Sequence, residues 1–250
     1  MFYRRILSFA AALVLAVTAG EAVFAKTLTQ RNNGDKKNAR VSAPLNIAIL
    51  MQDDLISQVG NELNVTRDFI LALPEGSRVM VGYITAGMLQ VRQPFTTNLD
   101  MAARSLRIPR SSASGSPFNP YVEVIEALRR FDANWKGRNA VLLISDGLDT
   151  SRGFDVTSSG QTLDLQRAIK QANDRNVAVY TFYAPAVGLT SRSRIAASYG
   201  QNSLNRLANE TGGKAFFQGT TGFVTFDYYF QRLRQMLNEQ YARAYCTELT

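Results

Sequence analysis

Histidine is absent from the 250 residues, cysteine and tryptophan occur once each, and acids are outnumbered by bases, 20 to 28. The missing imidazole removes Ser-His-Asp and Cys-His catalysis and any histidine-bound zinc in one step. The lone Cys246 excludes an internal disulfide. It reads as an ordinary residue near the C-terminus, with a free thiol or a bond between chains as the other readings. A comfortable membrane span is also lacking. The apolar stretch over residues 6–17 is short and is soon followed by Gly20 and Glu21.

That stretch fits a different use. Arg4 and Arg5 precede it, and Val23-Phe24-Ala25 follows with small residues where a signal peptidase reads. The pattern predicts a signal peptide over residues 1–25, cleaved before Lys26, and an exported protein, periplasmic or extracellular. An uncleaved N-terminal anchor is the alternative. Residues 26–44 carry Lys26, Arg31, Lys36, Lys37 and Arg40 against Asp35, with almost no large apolar side chains. They read as a basic, flexible tether. A soluble spacer is the simpler role, and peripheral contact with an anionic surface is the other. Nucleic acid is not an expected partner for an exported chain without a binding motif.

What remains, residues 45–250, is long and apolar enough for one domain. Asn46-Ile47-Ala48-Ile49-Leu50-Met51-Gln52-Asp53-Asp54 and Ala140-Val141-Leu142-Leu143-Ile144-Ser145-Asp146-Gly147 are short, unbroken apolar runs that end in acid. Such runs suit strands buried on both faces of a parallel sheet. The carboxyl ends of these strands form the crevice where ligands bind in open α/β sheets. Carboxylates delivered to that rim suit a hard cation.

Between and after these strands the pattern alternates. Val59, Leu63, Thr66, Phe69, Ile70 and Leu73 fall at helical spacing, and Pro74-Glu75-Gly76 stops them. Residues 78–85 and 88–94 are strand-like and joined by Ala86-Gly87, so one of them is an antiparallel edge strand. A helix over 99–106, a small-residue loop over 109–117 and a helix through Tyr121, Val124, Ile125 and Leu128 follow. Later come a helix at 163–175, a strand at 177–183, a helix at 201–210 closed by Thr211-Gly212-Gly213, and a short strand at 214–218. A long helix over 223–241 comes next, and 242–245 reads as the start of one more strand. This predicts an α/β fold: a doubly wound, mostly parallel sheet with one antiparallel edge strand and helices on both faces.

The order of these features resembles the von Willebrand factor type A fold. It has an Asp-bearing loop after the first strand, an early hairpin, a small-residue loop before a helix, a Ser-Asp-Gly strand end and a late Thr-Gly-Gly. Gln93-Pro94-Phe95-Thr96-Thr97-Asn98 and Glu239-Gln240-Tyr241 look most like the bacterial secreted branch called VWFA-related domains. The resemblance implies a protein-binding or surface-ligand-binding module, not an enzyme. It also implies a metal ion-dependent adhesion site, in which a partner's acidic side chain completes the shell of Mg²⁺ or Ca²⁺. Mapped residue by residue, Asp53, Ser57, Ser116 and Asp146 match as ligands, while Leu55 stands where a hydroxyl is expected. Asp54 or a water would have to replace that oxygen, and a serine at 55 would restore it. The competing reading makes the acids caps for backbone N–H groups on a metal-free rim.

Two other function classes fit parts of the pattern. A Mg²⁺-dependent phosphohydrolase would use acids at strand ends, but Asp53-Asp54-Leu55 lacks the second acid two positions on. A metal-free structural module of an envelope assembly would share the fold and ignore chelators. Asp149-Thr150 reads as a turn. Residues 152–160 and 187–198 read as polar loops on the same rim, and Tyr180, Tyr183, Tyr228, Tyr229 and Phe230 read as packing.

Overall fold

The computed structural model describes residues 44–112, 118–135, 137–154, 163–219 and 224–247. The fold below is that of the unit Ala43–Gln240. The predicted signal peptide, most of the tether and Ser116 lie outside the described residues.

Six strands form one sheet: β1 (Leu45–Gln52), β2 (Arg78–Thr85), β3 (Met88–Thr96), β4 (Arg138–Ser145), β5 (Val177–Tyr183) and β6 (Ala215–Phe216), in the order β3-β2-β1-β4-β5-β6. All neighbours are parallel except β2 and β3. The chain leaves β1 toward β2 on one side and returns to β4 on the other. The C-terminal ends of β1 and β4 therefore flank the switch point where such sheets bind ligands. The β2–β3 hairpin turns through Ala86 (φ 49°) and Gly87 (φ 74°), the left-handed pair a tight two-residue turn requires. β3 alternates exposed and half-buried positions, as an edge strand with one solvated face should.

Seven helices among the described residues cover the two faces: α1 (Leu63–Leu71), α2 (Leu99–Arg104), α3 (Pro120–Leu128), α4 (Leu163–Asp174), α5 (Leu189–Arg192), α6 (Arg194–Glu210) and α7 (Asp227–Thr247). A 3₁₀ turn, Ser57–Glu62, precedes α1. Alternation along β1 splits the core. Ile47, Ile49 and Met51 pack with α1, α2 and α7, and Ala48 and Leu50 pack with α3, α4 and α6. Asn98, Asn119 and Ser193 cap α2, α3 and α6 by accepting from Met101, Tyr121 and Ala196 backbone N–H groups, and Pro120 opens α3. Phe182 sits among Phe216, Phe226, Tyr229 and Phe230, with ring centroids 4.9–5.4 Å away. Tyr229 and Phe230 of α7 are thus packing, whereas Tyr228 is exposed.

Three expectations change. Residues 242–245 belong to α7 and not to a further strand. α6 starts at Arg194, seven residues before the expected helix, and α5 precedes it, so much of 187–198 is helical. The last strand shrinks to Ala215–Phe216. Polar spacing hid the start of α6: Arg194 and Ser198 are exposed and look like loop unless Ala196, Ala197 and Gly200 are seen to be buried.

Candidate functional site at the C-terminal rim

β1 ends by delivering Asp53 to the rim, where the backbone still belongs to the sheet: Asp53 N donates to Ile84 O at 3.0 Å. Its carboxylate is almost wholly buried, at 5% exposure. Arg107 grips it with both terminal nitrogens, Nη1 to Oδ1 at 2.6 Å and Nη2 to Oδ2 at 2.9 Å. Arg110 adds its backbone N–H to Oδ1 at 3.0 Å and brings Nε within 3.3 Å of Oδ2. Thr85 donates its hydroxyl to Oδ2 at 3.0 Å. Burial alone would disfavour the charged carboxylate, but the hydrogen bonds from Arg107, Arg110 and Thr85 outweigh it and hold Asp53 below the usual range.

Arg107 is itself fixed. Its guanidinium lies over the Tyr83 ring at 4.0 Å, and its backbone N–H and C=O both meet the Tyr83 hydroxyl at 2.7 Å. Pairing with Asp53 raises its affinity for its proton further. The loop after α2 is held across the strand end by Ser111 N donating to Asp53 O at 3.1 Å. Arg110, with 64% of its side chain exposed, faces a pocket of about 120 Å³ lined also by Asp54, Thr85, Ser112 and Phe118.

The second half of the rim hangs on Gln52. Its Oε1 accepts from Ser145 Oγ at 2.6 Å and from Asp146 N at 3.0 Å, and its Nε2 donates to Asp54 Oδ1 at 2.8 Å. One amide therefore joins the ends of β1 and β4. Asp146 accepts from Leu148 N at 3.1 Å and from the Thr190 hydroxyl at 2.9 Å. Burial pushes its carboxyl up to about 7, and the negative charge of Asp54 adds to this. Asp54 is raised as well, by burial first and by Asp53 last.

Leu55 is fully buried in the core. The loop around it is zipped to the loop after β5: Ile56 N donates to Pro185 O at 3.0 Å and Val187 N to Asp54 O at 2.8 Å, with Leu55 bridged to Ala186. Ser57 is exposed, and its hydroxyl approaches Gln58 Oε1 at 3.5 Å. Asp149 accepts from Ser151 and from Asn119, which is turn chemistry, as its sequence context suggests.

Solved structures share this architecture. The chain superposes with BatB of Bacteroides thetaiotaomicron, a conserved hypothetical protein, at a TM-score of 0.57 and 15% identity, over 81% of this chain and 100% of that one. An aerotolerance-related membrane protein of Bacteroides fragilis gives 0.54 and 14%, over 78% and 99%. A von Willebrand factor type A protein of Catenulispora acidiphila gives 0.53 and 17%, over 76% of this chain and 42% of that one. The chain has a von Willebrand factor type A-like fold. No protein-family model and no curated protein matches the sequence.

A type A fold raises the question of a divalent cation, and the donor set answers it. A carboxylate offers about four lone-pair directions. Asp53 accepts four hydrogen bonds, two from Arg107 and one each from the Arg110 backbone N–H and Thr85, and Arg110 Nε adds an ion-pair contact at 3.3 Å. Leu55 has no side-chain oxygen and is buried, and the Ser57 hydroxyl turns to Gln58 Oε1. Among the described residues no group of three or more acidic or cysteine side chains is arranged to hold a metal. Asp53, Ser57 and Asp146 as placed do not fit a Mg²⁺ or Ca²⁺ shell, and Ser116 lies outside the described residues.

Sequence reading missed Arg107, Thr85, Gln52 and Thr190 and saw Arg110 only as part of a small-residue loop. One signal was present: Arg107-Ile108-Pro109-Arg110 sets two guanidinium groups about a proline in the loop facing two acids. Without the fold, nothing pairs those arginines with Asp53.

Proposed function

We propose that this chain is an exported binding module that engages a protein or surface ligand at the C-terminal rim of its sheet. The observation that carries the reading is the rigid rim cluster at the β1/β4 switch point, from which Arg110 projects beside the exposed Ile108, with the exposed Leu189 at the start of α5. Fixed backbone, one anchored cation and a few exposed apolar side chains are what a protein-recognition surface needs. The type A-like fold supports the same use. The leader-like residues 1–25 support export, and among the described residues no helix is long and apolar enough to cross a membrane. The basic residues 26–44 would then space the domain from an anionic surface or touch it.

A phosphohydrolase reading finds little support. Asp53 is engaged by guanidinium groups on both oxygens and is not free to attack phosphorus. A structural module of an envelope assembly shares every feature except the need for an open rim. Capture of partners from an envelope extract separates the two, using the wild type, Arg110→Glu and Ile108→Asp, with Arg175→Glu at the opposite end of the sheet as control. Rim-directed binding predicts loss of a partner in the first two variants only. Capture indifferent to the rim, or turnover of an aryl phosphate with added Mg²⁺, would sink the reading.

A further inference from the structure

We infer that Arg107, backed by Arg110, is a resident cation: its guanidinium stands against Asp53 where a metal-binding rim would hold a divalent ion, so the rim is charged and shaped without metal. Three observations converge. The contact is a two-pronged, charge-assisted grip on a buried carboxylate, at 2.6 and 2.9 Å, the geometry in which guanidinium most closely imitates a bound cation. The guanidinium is anchored independently of Asp53, over the Tyr83 ring and by the double hydrogen bond of its backbone to the Tyr83 hydroxyl. The position that would supply the missing oxygen is filled by Leu55, which belongs to the core. A rim that loses a metal ligand at 55 and gains a bidentate arginine on Asp53 is a consistent whole.

A metal-held rim loses its charge to a chelator, whereas this one keeps it. Ligand groups attracted here are those that suit an exposed guanidinium, carboxylates above all, met by Arg110. The inference concerns how the rim is charged and holds whether or not the rim is the binding surface. Mn²⁺ tests the first, and partner capture tests the second.

The test is a Mn²⁺ titration of the purified chain, followed by the paramagnetic resonance of free Mn²⁺ and by thermal melts in Mn²⁺ and in EDTA. Wild type should leave the free signal undiminished at millimolar ion and melt at one temperature in both buffers. Arg107→Gln, which removes one donor from each Asp53 oxygen, should melt higher in Mn²⁺ than in EDTA, and Asp53→Asn added to it should abolish the difference. Wild-type Mn²⁺ binding that Asp53→Asn removes would overturn the inference, and so would a folded Arg107→Gln protein that stays silent to Mn²⁺. Should Arg107→Gln fail to fold, Arg107→Ala in methylguanidinium serves instead. A melting temperature that rises toward wild type supports a vacated cation seat, and one that does not rise argues against it.

Discussion

Gly200 of α6 lies so close to Asp146 that a Cβ built on it would stand 1.9 Å from the Asp146 carbonyl oxygen. The contact is mutual: a Cβ on Gly147, whose φ is 71°, would meet Gly200 O at 2.4 Å. Two glycines let a helix rest directly on the strand-end turn that carries the rim aspartate. Gly200→Ala must push α6 off that turn, because backbone cannot yield as a side chain can. The expected cost is at the upper end of the about 1–3 kcal/mol typical of overpacking, read by urea unfolding. A variant as stable as wild type would mean that α6 packs more loosely than described.

Arg107→Met leaves a buried carboxylate with Arg110 and Thr85 alone. Breaking a buried ion pair costs about 3–5 kcal/mol, and the remaining donors place this case near the lower end. Arg110→Met, at an exposed side chain, should cost under about 1 kcal/mol. A double-mutant cycle of Asp53→Asn with Arg107→Met should show coupling of at least about 1 kcal/mol. Additive losses would show that the pair contributes packing only.

Leu55→Ser reverses what the sequence suggests. Added oxygen looks like a repaired metal site, but Leu55 is fully buried beside the Ala186 bridge. Loss of the side chain from the core should cost about 2–5 kcal/mol. Calorimetric titration with Mg²⁺ should show no gain of binding alongside the lowered melting temperature.

Stability should depend on pH through carboxyl groups shifted in opposite directions. Asp146 is raised from 3.8 to about 7 in the folded chain, chiefly by burial. Between those values the folded state holds a proton that the unfolded chain releases, so its contribution falls as pH rises toward about 7 and is fully lost above it. Asp54, also raised, acts in the same direction. Asp53 is lowered, so its stabilisation is present above the ordinary carboxylate range and disappears only in stronger acid. Wild type compared with Asp146→Asn should therefore gain relative stability as pH falls from about 7 toward 4. A difference independent of pH would mean that Asp146 stays ionised when buried.

By itself the sequence determined the first five strands of the sheet, because the information is local. Short unbroken apolar runs such as 47–51 and 140–144, rich in branched residues, suit strands covered on both faces, and Ala86-Gly87 between two strand-like runs suits a tight reversal. It also placed Asp53 and Asp146 at strand ends on one rim, since alternation of strand and helix puts those ends on the same side. Tertiary structure decided what the acids do. Asp53 meets Arg107 across 54 residues of chain and Asp146 meets Thr190 across 44, and no periodicity records such partnerships. It decided, too, that Leu55 is core. A leucine between an acid and a serine looks like a damaged ligand set until the loop after β5 is hydrogen-bonded across it and its side chain is buried in the core.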